Sequence, residues 1–83
     1  MVKSLQLRSV DDVHSVEEEL AKGKTVIILR VTPLAQKSVE ELRIAVERLY
    51  ASATAMGGDI ARLGDERIVI TPPSVRIWRE QKL

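Results

Sequence analysis

The chain predicts a single small α+β domain, a two-layer sandwich in the order β-α-β-α-β-β-β, with a mixed five-stranded sheet and two helices on one face. Two observations carry this reading. Short apolar stretches bounded by Gly and Pro alternate with longer stretches whose apolar residues recur at three- and four-residue steps. The 83 residues suffice for one core and leave much of the surface wet, so residues 1–83 form one domain that burial against a partner would stabilise.

Val2 to Arg8 alternate, with Leu5 and Leu7 on one face and Ser4 and Gln6 on the other, as a strand with one wetter side should. Ser9 and Asp12 have capping-box spacing, and Val10, Val13, Val16 and Leu20 follow at helical intervals until Gly23 offers a stop. A first helix is expected over about Val10 to Lys22. Val26, Ile27, Ile28 and Leu29 form an unbroken run rich in β-branched residues, which fits a central strand covered on both faces and closed by Pro33. Strand, helix and strand make a βαβ unit, so the first two strands should be parallel.

Ser38 and Glu41 form a second capping box, with Glu40 and Glu41 at the positive end of the helix dipole. Leu42, Ala45, Val46, Leu49, Ala53 and Met56 then mark one apolar stripe, and Gly57 supplies the left-handed stop. The other face, with Glu40, Arg43, Glu47 and Arg48, reads as solvated and ion-paired. After Gly58, Asp59 to Leu63 is a strand, Gly64 and Asp65 a two-residue hairpin turn, and Glu66 to Thr71 the returning strand. Pro72 and Pro73 end it, and Val75 to Arg79 reads as a last strand.

Helices on one face leave the other face of this apolar sheet to be covered. Self-association through the sheet is therefore expected, with Ile27, Leu29, Val69 and Trp78 as the candidate dimer interface.

Composition removes several classes of function. There is no cysteine, hence no disulfide or thiolate site, which is compatible with a reducing compartment. The start, MVKSLQLRSV, has no apolar core region, so no signal peptide is expected there. No segment approaches the roughly 18 apolar residues of a membrane span. A net charge of +1 lacks the basic excess of most nucleic-acid binders.

Little here points to catalysis. His14 and Glu18 share a helical face, but the sole histidine has no further strong ligands and no nucleophile motif, so no catalytic, metal or cofactor site is expected. Gly57 and Gly58 follow a helix, so they offer no helix N-terminus to a phosphate. The Gly-Gly-Asp run continues with Ile60 and Ala61, unlike the GGDEF motif of diguanylate cyclases. An RNA-recognition sheet needs aromatic platforms, and Tyr50 and Trp78 are the only aromatics. Arg62, Arg67, Arg76 and Arg79 are interspersed with Asp59, Asp65, Glu66 and Glu80, which fits a soluble sheet edge better than a phosphate track. An Alba-like or RNA-binding dimer stands as the second reading.

The order of elements, the helix ending A-M-G-G-D-I-A-R-L-G and the strand ending I-V-I-T-P resemble the SepF cell-division family, including its archaeal members. The likeness spans nearly the whole chain and is strongest from Leu49 to Pro73. By position, Gly57 and Gly58 match the family's glycine junction, Asp59, Ile60 and Arg62 its G-D-I-x-R strand, Gly64 its turn, and Thr71 and Pro72 its closing T-P. The resemblance implies a non-enzymatic, cytoplasmic adaptor at the division site, near the inner face of the membrane. Such an adaptor forms a homodimer or a higher polymer and binds the C-terminal tail of FtsZ, the tubulin-like division GTPase. From the residues themselves, neither a cofactor nor nucleic acid is expected as a partner. Family members reach the membrane through an N-terminal amphipathic helix and linker. This chain starts at its first strand, so membrane attachment is expected only through an anchor outside it or another protein. The cleft between the second predicted helix and the hairpin is the candidate tail site, with Tyr50, Met56, Ile60 and Ile68 as contacts.

Overall fold

The computed structural model describes residues 1–75. Its strands are β1 (Val2–Gln6), β2 (Val26–Arg30), β3 (Asp59–Leu63) and β4 (Arg67–Thr71), and its helices are α1 (Asp12–Ala21), α2 (Thr32–Lys37) and α3 (Val39–Ala55). Among the described residues the strands form one mixed sheet in the order β1-β2-β4-β3. The expected five-stranded sheet with two helices is thus corrected to four strands with three helices. Val75 follows a turn at Pro73 and Ser74 and lies in no strand, and the rest of the expected last strand, Trp78 included, falls outside the described residues.

The βαβ unit forms as its pattern requires. β1 and β2 are parallel, pairing Lys3 with Ile27 and Leu5 with Leu29. α1 begins differently from the capping-box expectation: no side chain caps its N-terminus, and the Asp12 carboxylate instead accepts from the Arg8 N–H at 2.8 Å. Asp reaches back to this donor at the strand end, which leaves Ser9 to offer only its carbonyl, to the Asp12 N–H. Gly23, at φ 74°, ends the helix as expected.

Pro33 does not merely close β2. It occupies the first turn of α2, where its missing N–H costs nothing and its fixed φ suits the helix. The Leu34 N–H donates to the Leu7 carbonyl at 3.1 Å, and Leu34 is fully buried, so α2 is tied to the end of β1 and to the core. Ser38 then ends α2 and caps α3, its Oγ accepting from the Glu41 N–H at 3.1 Å.

The core lies between the sheet and the helices. Val13, Val16 and Leu20 of α1, Ala45, Leu49 and Ala53 of α3, and Ile27, Leu29, Ile68 and Ile70 of the sheet are all buried there. The sheet's opposite face, which carries Ile28, Val69 and Ala61, has no helix of the described residues against it.

The hairpin turn is longer than its Gly-Asp signal suggests. Leu63 pairs with Arg67, leaving Gly64, Asp65 and Glu66 between the strands. Glu66 is drawn the other way, extending the ladder to β2 through the Val31 N–H, which donates to its carbonyl at 2.9 Å.

Candidate peptide-binding site

A groove runs along α3 where that helix meets the hairpin. One part, about 270 Å³, is lined by Val46, Tyr50, Ile60, Ala61, Arg62 and Ile68. An adjoining part of about 300 Å³ is lined by Val39, Leu42, Arg43, Val46, Glu47 and Arg62. Val46 and Arg62 belong to both, so the two parts form one apolar trough with Arg62 at its middle.

The sequence builds this trough through helical spacing. α3 carries two stripes: Ala45, Leu49 and Ala53 point into the core, while Val39, Leu42, Val46 and Tyr50 run beside them. The second stripe is only partly covered, with Val39 75% and Tyr50 61% exposed. From the hairpin, Ile60 and Arg62 alternate onto the same side and pair with Ile70 and Ile68 of the core face.

Charge within the trough is uneven. Arg43 is neutralised by Glu40 and by Glu47, the latter at 3.1 Å. Arg62 forms no ion pair with any described residue, so the trough offers apolar anchor sites and one uncompensated cation. That combination suits a peptide with apolar side chains and a carboxylate.

Tyr50, Ile60 and Ile68 meet in this groove, Ile68 as its buried floor. Met56 does not line it and packs on the core at the end of α3. Sequence reasoning placed Leu42 and Val46 in the core stripe and left out Val39 and Arg43. The signal was the spacing from Val39 through Leu42 and Val46 to Tyr50, one helical row away from Ala45 and Leu49.

The residues of the glycine motif are structural neighbours of the groove. At the end of α3, the Gly58 N–H donates to the Ala53 carbonyl at 2.9 Å and the Gly57 N–H to the Thr54 carbonyl at 3.0 Å, the two bonds of a Schellman motif. The Asp59 carboxylate accepts from the Ile60 N–H at 2.9 Å. Gly64 adopts φ 67° in the hairpin turn. Thr71 is buried with its hydroxyl donating to the Val75 carbonyl at 2.8 Å, and Pro72 beside it is buried too.

Of the residues expected at a dimer interface, Ile27 and Leu29 lie under the helices and are fully buried within the protomer. Val69 is on the open sheet face, opposite Ile28 of β2 and Ala61 of β3. His14 and Glu18 form an exposed pair at 3.5 Å. Among the described residues no group of three or more His, Cys, Asp or Glu could hold a metal ion, and no helix is long and apolar enough to cross a membrane.

Comparison with known proteins places this geometry. The family model described as cell division protein SepF matches residues 2–77. A SepF-like protein from Pyrococcus furiosus is 31% identical, with a TM-score of 0.82 over 94% of this chain and 93% of that one. A SepF-like protein from Archaeoglobus fulgidus shares the fold at 17% identity, with a TM-score of 0.85 over 99% of this chain and 96% of that one. The cell division protein SepF from Methanobrevibacter smithii, solved in complex with FtsZ-CTD, shares it at 20% identity, with a TM-score of 0.75 over 95% and 98%. No curated protein matches the chain in sequence. With the family model covering nearly the whole chain and a close structural relative above 30% identity, the chain belongs to the SepF family of cell division proteins.

Proposed function

We infer that this protein is a non-enzymatic division adaptor whose groove along α3 receives the C-terminal tail of FtsZ. The observation that carries the reading is the continuous apolar trough with Arg62 uncompensated at its centre. The M. smithii relative, solved with FtsZ-CTD bound, supports the choice of ligand. An extended or helical tail would set two apolar side chains into the two parts of the trough and a carboxylate against Arg62.

In this reading the protein pairs through its open sheet face, with Ile28 and Val69 at the centre of the contact. It works in the cytoplasm at the division site, and another segment or protein supplies attachment to the membrane.

Titration calorimetry of an FtsZ C-terminal peptide against a scrambled peptide tests the tail assignment. Only the cognate peptide should bind, and Tyr50→Ala should weaken it by about 1–2 kcal/mol, the range of an exposed aromatic anchor. No heat from the cognate peptide, together with salt-dependent binding to duplex nucleic acid, would move the protein to the Alba-like reading.

A further inference from the structure

Arg30 of β2 and Arg67 of β4 stand directly opposite each other. Their neighbours Leu29 and Ile68 point into the core, so both guanidinium groups leave the sheet on its open face. Neither forms an ion pair with a described residue, whereas Arg8 meets Asp12, Arg43 meets Glu40 and Glu47, and Arg48 meets Glu17. Like charges placed opposite in a ladder destabilise it unless something neutralises them.

The two arginines border a concavity of about 220 Å³ whose remaining walls are Ser4, Leu5, Gln6 and Ile28. Every polar side chain there can donate: two guanidinium forks, the Ser4 hydroxyl and the Gln6 amide. Among the described residues no carboxylate lines it. A second copy laid symmetrically on this face would bring two further arginines. Among the described residues the acid on the face is Asp59, which sits at the other end of the sheet opposite Thr71 and already accepts from the Ile60 N–H.

We propose that Arg30, Arg67, Ser4 and Gln6 form a binding site for a multivalent oxyanion of the phosphate class, either free in solution or carried as the headgroup of an anionic lipid. Planar guanidinium forks on adjacent strands suit the tetrahedral oxygens of such a group, and the hydroxyl and amide complete the donor set. The assignment does not depend on the tail site, and a lipid headgroup can reach it only where the open face is not paired.

The test compares the whole chain with Arg30→Gln and Arg67→Gln, in phosphate and in chloride at matched ionic strength. Calorimetry should show phosphate binding to the parent chain and a loss of about tenfold or more in affinity in either variant. The parent Tm should rise in phosphate while the variants' Tm does not. In chloride the variants should melt at or above the parent temperature, because the opposed charges are relieved, which shows that they fold. Co-sedimentation with phosphatidylglycerol vesicles, against phosphatidylcholine, identifies the source: vesicle binding that both variants lose, without a response to free phosphate, supports the site with a headgroup as ligand. A phosphate or vesicle response equal in parent and variants, or none in either arm, overturns the proposal.

Discussion

At the end of α3, positions 57 and 58 exclude side chains for different reasons. Gly57 sits at φ 79° with open space where a Cβ would go, so Gly57→Ala meets only backbone strain of about 1 kcal/mol. Gly58 has an ordinary φ, but a methyl there would overlap the Thr71 carbonyl oxygen, part of the backbone. Gly58→Ala must therefore push β4 away from the helix end, and urea denaturation should show it to be severalfold more destabilising than Gly57→Ala. Equal costs would mean that this junction yields freely. Local pattern made the first glycine legible, since a helix stop after an apolar stripe calls for a left-handed residue. The second depends on a strand met only later in the chain, and no spacing rule encodes that approach.

Between elements, the parts legible in the sequence were those with clean periodicity: α1, α3, the hairpin strands and the parallel βαβ pair. α2 was hidden because six residues cannot display a helical period, and Pro33 signals a strand end as readily as a helix start. α1, held in the core by Val13, Val16 and Leu20, also meets β1 through charge. Lys3, on the core side of the β1 edge, reaches the Glu19 carboxylate at 3.0 Å, and Lys22 reaches it at 3.2 Å. The hydrogen bond from Lys3, then that from Lys22, lowers the Glu19 pKa. A lowered carboxylate adds stability above its unfolded value, about pH 4.3, and that contribution is lost as pH falls through the lower folded value. The Tm advantage of the parent chain over Glu19→Gln should be full near neutrality and shrink as the solution is acidified below about pH 4. A gap independent of pH would show that these ion pairs contribute nothing to the docking of α1.

For the molecule as a whole, the unbroken run from Val26 to Leu29 revealed a central strand but not which residues point to the helices. With a side-chain period of two, an error of one position moves every residue to the opposite face, and a run without alternation leaves that parity open. The structure resolves it: Ile27 and Leu29 are core, and Ile28 joins Val69 on the open side. Pairing through that side predicts that light scattering finds a dimer at micromolar concentration and that Ile28→Lys yields a folded monomer. A monomeric parent chain, or a dimer untouched by the lysine, would exclude this face as the interface. The groove was legible only in part, because its α3 wall is a second stripe that merges with the core stripe in one dimension and separates from it only when the helix is laid against the hairpin.

The contact at Gly58 also sets a mechanical property. α3 and β3 form the two walls of the groove, and the junction between them is braced by the Schellman bonds on one side and by the Thr71 backbone on the other. A pull on a bound tail would therefore be shared with β4 and, through its ladder, with β2 at the centre of the sheet. In the proposed tail-bound state, load would pass through the interior of the domain rather than through a single surface loop.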